Sequence, residues 1–449
     1  MLSKPVKIGV VGQLQDPTAH FRLWRLAAPM VLSNVSIAVL GLIDTAVIGH
    51  LANPSYLAGI AIATVLFDFL YWGVTFLRMG TTGIVAQVHG SDNAQQVGST
   101  LRDALVIGLA IASLMLFLRA EILGFGLNLI NGSAAATTHA ERFFEIKIWG
   151  APGVLATMVF IGWLIGMQNA RAAMILAAVP CLLHAALDIL FVVIMELGIP
   201  GAAYAALVSA YFSAALGVWL VIQELRRRSV TMTFSWRWLG MRRLLSLNGN
   251  IMLRTLCLIA TFAFFTRQGA IQGDITLAAN VILLNFQMLT ALALDGFANA
   301  LEALVGLSIG ASDRVRFLAA VALGMFWSIL FAVLFVGIYL IFGTSLIALL
   351  TDIFELRHEA GRFMVWAAIS PIVSVWCFVF DGIFIGATKG REMRNSMVFA
   401  AFFVFLPAWY LLQPLANHGL WIAFLLFFAA RGISMGWYYV KIDRRGGFV

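Results

Sequence analysis

Asp44 and Asp188 are carboxylates set inside long apolar runs, each at a similar distance from a basic residue that marks the start of its run. Asp44 stands about nineteen residues beyond Arg25 and Asp188 about seventeen beyond Arg171, roughly 28 and 26 Å along a helix. The two acids are therefore expected at one level, with no cation at that level to pair them. A carboxylate in such surroundings can take up and release a proton, which suits ion coupling; structural hydrogen bonding is the bland alternative. His184 precedes Asp188 by four residues on the same helical face, where it could relay that proton or simply pack. Asn34, ahead of Asp44 in the same run, offers an amide to the site or a contact between helices. Pro29, earlier still, lacks an N–H and permits a kink, unless it only belongs to the entry turn.

A second set of charges lies in the later half: Arg254, Asp295, Glu302 and Asp381. Counted from Arg243, Arg314 and Lys389, Arg254 and Glu302 come out roughly 17 Å along their runs and Asp381 roughly 12 Å. A buried arginine with acids nearby reads as a compensated polar network, with substrate contact as the alternative. Asp295, higher in its run, is expected to stand apart from it. The chain has no HExxH pair, no GxSxG elbow and no clustered histidines. An enzyme, a metal site and a resident cofactor are therefore not expected.

These groups need elements that hold them in lipid. The 449 residues are 62% hydrophobic and only 11% charged, and the apolar ones recur in runs such as 104–118, 321–342 and 397–412. In a bilayer only helices and closed barrels satisfy their own backbone, and the alternation of a barrel strand is missing. The reading is an all-α polytopic membrane protein of twelve transmembrane helices, near 22–50, 56–88, 97–121, 138–168, 171–196 and 199–225, then 243–268, 275–310, 314–346, 358–388, 393–415 and 418–441. This divides the chain into a cytoplasmic N-terminal segment 1–21, an N-lobe 22–225, a basic cytoplasmic linker 226–242, a C-lobe 243–441 and a cytoplasmic tail 442–449.

The net charge of +8 is carried mainly between the runs. One alternating set of connections holds Lys4, Lys7, Arg25, Arg171, Arg226, Arg227, Arg228, Arg242, Arg243, Arg314, Arg316, Lys389 and Arg391, and the opposite set is poor in cations. By the positive-inside rule both termini lie in the cytoplasm of a bacterial inner membrane. No basic patch alternates with exposed aromatics, which argues against nucleic acid. Cys181, Cys257 and Cys377 all fall inside spans and read as small packing residues.

The two halves align at one spacing. Gly90 lies 220 residues before Gly310, and the same shift carries Gly49 onto Gly269, Gly162 onto Gly382, Gly166 onto Gly386 and Arg171 onto Arg391. A shift held over so long a stretch implies two pseudo-symmetric six-helix lobes, related about the membrane normal and facing across a central cleft.

The motifs LAAPMVLSN at 26–34 and GLIDTAVIGHL at 41–51 resemble the first helix of multidrug and toxic compound extrusion (MATE) transporters. FLRMGTTGIVAQVHG, LDGFANALEALVG and FDGIFIGATKGREMRNSM resemble the DinF branch of that family, and the resemblance covers nearly the whole chain. It implies a twelve-helix, two-lobed secondary transporter that exports cationic or amphipathic small molecules, driven by protons or sodium. It also implies that Asp44 is the first-helix acid, Asp188 the fifth-helix acid, and Pro29 the site of a first-helix kink. His184 departs from the asparagine usual in relatives, which weakens any transfer of their neutral hydrogen-bond network. Arg254 and Asp381 do not clearly reproduce the sodium site of the other branch, which favours H+ as coupling ion with Na+ left open. The rival within the superfamily is a lipid-linked oligosaccharide flippase, which needs several deep cations where the sequence offers Arg78 and Arg254. The expected partners are small molecules and membrane lipids, and the transporter is expected to act as a monomer.

Overall fold

The computed structural model describes residues 12, 15–49, 54–130, 134–228 and 238–449, without the side chains of 37–49, 54–57, 129–130 and 238–239. Among them every regular element is helical. Six long helices occupy the first half: α1 Pro17–Gly49, α2 Ala58–Gly90, α3 Ala94–Phe117, α4 Ala134–Gly166, α5 Ala170–Ile194 and α6 Gly198–Arg227. Six more follow: α7 Trp238–Ile271, α8 Asp274–Gly310, α9 Arg314–Leu350, α10 Phe354–Gly386, α11 Gly390–Leu411 and α12 Ala416–Asp443. Eleven of them are long and apolar enough to cross a bilayer on described residues alone, and α1, 33 residues long, makes the twelfth. The chain is a multi-pass membrane protein.

Boundaries differ from the sequence reading where polar residues start a helix early. α1 begins at Pro17, not near 22, because Asp16 caps it: Thr18 donates its N–H to Oδ1 at 2.9 Å and its hydroxyl to Oδ2 at 2.6 Å. These bonds hold the Asp16 carboxyl below its usual range. The stretch 122–137, left between expected spans, is largely helical: Arg119–Ile130 forms a short helix rich in apolar residues, and α4 starts at Ala134.

The internal repeat is visible in the backbone. The turn after α2 puts Asp92 at φ 53°, and the turn after α8 puts Ser312, its equivalent at the 220-residue shift, at φ 52°. Likewise Gln168 after α4 has φ 63° and Thr388 after α10 has φ 56°. All four turns close alike, for instance by Asn169 N–H donating to Leu164 O at 2.9 Å and Lys389 N–H donating to Phe384 O at 2.8 Å. Helix crossings repeat as well. A Cβ added to Gly162 would meet the carbonyl of Arg78, and one added to Gly382 would meet that of Ala298, the residue equivalent to Arg78. Close approach through small residues is how membrane helices gain van der Waals contact when lipid offers no hydrophobic drive. The last third of α5 and the middle of α11 each contain a π-helical turn, Ile189–Ile194 and Phe399–Phe405.

The chain gathers into two units, whose divisions fall inside α1 and α7: Leu32–Asn248 forms one, and Gly249–Val449 together with the start of α1 up to Val31 forms the other. Within the second of these, which we call the C-terminal unit, Trp24 packs edge-on against Phe297 of α8 at 5.4 Å and Trp327 of α9 at 5.1 Å. Trp327 Nε1 donates to His20 Nδ1 at 3.1 Å. Within the N-terminal unit, the start of α7 is held on α2, where Arg243 donates to Gln87 Oε1 at 2.6 Å and buried Asn248 lies over Gly80. Each helix that opens a half thus begins in the unit built mainly from the other half.

Inside each unit the core is aromatic and aliphatic. Phe67 stacks on Phe144 in the N-terminal unit, and Trp421, Phe424, Phe427 and Phe428 of α12 fill the C-terminal one. One polar staple ties the ends of α2, α4 and α6. Glu224 accepts from Asn169 Nδ2 at 2.9 Å, Arg227 at 2.8 Å and Arg228 at 2.5 Å. Arg228 also donates to Met167 O at 2.7 Å and contacts His89 Nε2 at 2.8 Å. Arginine has only donors, so His89 Nε2 is the acceptor there.

Candidate functional site

α5 carries Asp188 where its hydrogen-bond pattern changes. The α-helical part runs Ala170–Asp188 and the π-helical turn follows directly. Pro180, two turns earlier, has no N–H to give to the preceding turn, so the same helix is weakened on both sides of the acid. Single π turns inside α-helices concentrate at functional positions, because the extra residue re-aims side chains. Asp188 is only 2% exposed. His184, one turn before it and half-buried, places Nε2 3.4 Å from Asp188 Oδ2. The pairing expected from the four-residue spacing is present. It joins a group that can exchange a proton to one that can help it do so.

On α1, Pro29 and Asn34 are both half-buried, on either side of the division between units at Val31. Asp44 belongs to α1, but its side chain lies outside the described residues, and so does its expected meeting with Asp188.

The C-terminal unit brings three charges from three helices to one point. Arg254 of α7 and Arg431 of α12 both donate through Nη2 to the same oxygen, Oδ2 of Asp381 on α10. All three are buried, at 7%, 4% and 6% exposure. The second carboxylate oxygen, Oδ1, and Nε of Arg254 have no hydrogen-bond partner among the described residues. Asp295 of α8, expected to stand apart, is exposed and makes no ion pair with either guanidinium, although it is near enough to act on both electrostatically. Two guanidiniums thus share one carboxylate, the kind of direct counter-charge a buried arginine requires. Glu302, 1% exposed, sits where α8 crosses the end of α10, its carbonyl facing Gly386.

Arg431 was missed in the sequence. It lies in the run LLFFAARGIS, about ten residues before Lys441, hence roughly 15 Å from that end, close to the depth inferred for Arg254. The depth ruler used for the other charges finds it. Other buried polar groups of this unit bind helices together: Asn280 and Asn417 exchange two amide bonds of 2.9 Å, and Trp421 Nε1 donates to Asn280 Oδ1 at 2.8 Å. Among the described residues no three His, Cys, Asp or Glu side chains gather as a metal site would need.

The MatE family model matches residues 29–190 and 251–411, one segment in each half of the chain. The chain is 41% identical to DNA damage-inducible protein F of Escherichia coli, over 92% of this chain and 90% of that protein. It is 25% identical to a probable multidrug resistance protein NorM of Rhizobium meliloti, over 95% of this chain and 94% of that one. Among solved structures, MATE in the straight conformation superposes with a TM-score of 0.85 at 20% identity, covering 98% of this chain and 99% of that one. A multidrug resistance MATE family transporter of the MOP superfamily, in an outward-facing conformation, matches with a TM-score of 0.87 at 18% identity and the same coverage. At such identity the structures speak for the fold.

Proposed function

The chain belongs to the MatE family of multidrug efflux transporters, and on that premise we propose that it exports cationic or amphipathic small molecules in exchange for protons by alternating access. The observation that carries this reading is Asp188: a carboxylate buried in a membrane helix, at the edge of a π turn, with an imidazole 3.4 Å away. Ionisable groups inside spans mark ion pathways by default. Asp44, expected at the same level, is its partner in this proposal, with Asn34 supplying an amide and Pro29 letting α1 bend when the acids change charge. Proton uptake from outside drives the substrate out, and release to the cytoplasm resets the cycle. Both termini are assigned to the cytoplasm, and one chain is taken as the working unit.

A flippase for lipid-linked oligosaccharides needs cations available to a pyrophosphate. Arg254 and Arg431 instead share Asp381, and that engagement favours the antiporter.

The test is uptake of a fluorescent cation into inverted vesicles whose lumen, equivalent to the cell exterior, is made acidic without sodium, comparing wild type with Asp44→Asn and Asp188→Asn at matched expression. Transport that needs the gradient and disappears in both variants supports the proposal. Transport that persists in both moves the coupling site elsewhere, and transport that requires sodium replaces the proton.

A further inference from the structure

A cavity of about 470 Å³ opens on the N-terminal unit, lined by Arg119, Glu145, Ile146, Trp149, Tyr204 and Leu207. It lies between the start of the short helix Arg119–Ile130, the middle of α4 and the early part of α6. Its depth follows from the staple at the other end of the same helices, where Asn169 donates to Glu224 at 2.9 Å. Trp149 and Tyr204 each stand about twenty residues from that bond, which is about 30 Å and matches the hydrocarbon core of a bilayer. The cavity therefore sits at the opposite membrane interface, where tryptophan and tyrosine collect because one end of each ring is apolar and the other polar.

Its walls are fixed in place. Tyr211 donates its hydroxyl to the Trp149 carbonyl at 2.8 Å. A Cβ on Gly153 would come within 2.7 Å of the Ala210 carbonyl, so α4 and α6 touch directly beside the cavity. The guanidinium of Arg119 stands 5.4 Å from the centre of the Trp149 ring, which orients it at the rim. Its one hydrogen bond among the described residues, to Leu116 O at 3.4 Å, leaves the rest of its donors available. Glu145, which is exposed, has no hydrogen-bond or ion-pair partner among the described residues, and Ile146 and Leu207 add apolar surface to the lining. One cation, one anion and an apolar wall at a lipid interface complement a headgroup that itself carries both signs.

We propose that this cavity holds the headgroup of a zwitterionic phospholipid, with phosphate on Arg119, ammonium on Glu145 and the glycerol region against Ile146 and Leu207. The ammonium must carry N–H donors to bond Glu145, which makes phosphatidylethanolamine the fitting ligand. An anionic headgroup such as phosphatidylglycerol meets Arg119 equally well but is repelled by Glu145. The proposal does not depend on which ion drives transport.

Native mass spectrometry of the full-length protein, released from detergent in the presence of phosphatidylethanolamine or phosphatidylglycerol, tests it. Wild type is expected to retain phosphatidylethanolamine about fivefold better than phosphatidylglycerol. Glu145→Gln should erase or reverse that preference, and Arg119→Gln should lower retention of both lipids. The charge swap, Arg119→Glu with Glu145→Arg, should restore the preference for phosphatidylethanolamine and guards against mere misfolding of the single variants. Equal retention of the two lipids by wild type, or retention unchanged in both single variants, overturns the proposal.

Discussion

Gly162 and Gly382 occupy the same place in two copies of one helix crossing: each lets α4 or α10 rest on a backbone carbonyl, of Arg78 in the first case and Ala298 in the second. Backbone cannot move aside as a flexible side chain can. Gly162→Ala and Gly382→Ala should each cost about 1–3 kcal/mol through overpacking. Gly249→Ala, where an added Cβ meets nothing within 4 Å, should instead gain up to about 1 kcal/mol of helix propensity. Thermal midpoints of the detergent-purified proteins decide. Equal midpoints for the two kinds of variant would mean that the crossings are looser than described.

Asp381 holds two buried guanidiniums through one oxygen. Asp381→Asn leaves both without their direct counter-charge and should destabilise by about 3–5 kcal/mol. Replacing all three members with apolar residues of similar volume, Asp381→Leu with Arg254→Met and Arg431→Met, should recover much of that loss. If the triple variant melts no higher than Asp381→Asn, the cost lies in packing and not in unpaired charge.

Arg228 bonds Glu224, Met167 O and His89 at once, using the fork of its guanidinium. Lysine presents a single point of donors and cannot reach three acceptors on different elements. Arg228→Lys is therefore expected to lose about 1–3 kcal/mol, close to the loss in Arg228→Ala. A melting curve for Arg228→Lys that overlays wild type would show that charge alone suffices.

Gln168 sits in the left-handed region at φ 63°, and its Nε2 is buried without a hydrogen-bond partner among the described residues. Gln168→Gly removes both penalties and should stabilise the turn by about 1 kcal/mol. A fall in the melting temperature would mean that the side chain packs more favourably than its unmet amide suggests.

His184 and Asp188 should separate in transport assays. If Asp188 binds the coupling proton and His184 only assists, Asp188→Asn should drop gradient-driven efflux below about one tenth, as for loss of an essential group, while His184→Asn should keep a measurable rate. Equal loss in both would make the imidazole an obligatory carrier.

Much of this was legible in the chain itself. Apolar runs broken by charge, glycine and proline marked out the spans, since a bilayer tolerates little else. The glycines 220 residues apart pointed to the repeat that the turns at Asp92 and Ser312 now display in their dihedral angles. Residue counts from the basic ends brought Arg254 and Asp381 near one depth, and they do meet. Arg431 was within reach of the same count, but it was not singled out from its apolar run. The π turn after Asp188 had no residue to announce it, because Ile189–Ile194 would serve equally in an α-helix. The early start of α1 was hidden for a different reason: the basic and polar residues ahead of Arg25 read as a loop until Asp16 is seen to cap the helix.

The shared membership of α1 sets a timetable for synthesis. Trp24 finds its ring partners in Phe297, Trp327 and Phe331, which the ribosome makes roughly 270 to 310 residues later. At bacterial elongation rates of about 5–20 residues per second, the delay is about 15 to 60 s. Through that interval Leu23, Leu26, Ala27 and Met30, all buried in the finished protein, have only lipid or a chaperone to cover them. A nascent chain stopped after α6 has all of its first helix and none of the surface that helix start rests on, so premature termination should leave a product that quality-control proteases can recognise at its beginning.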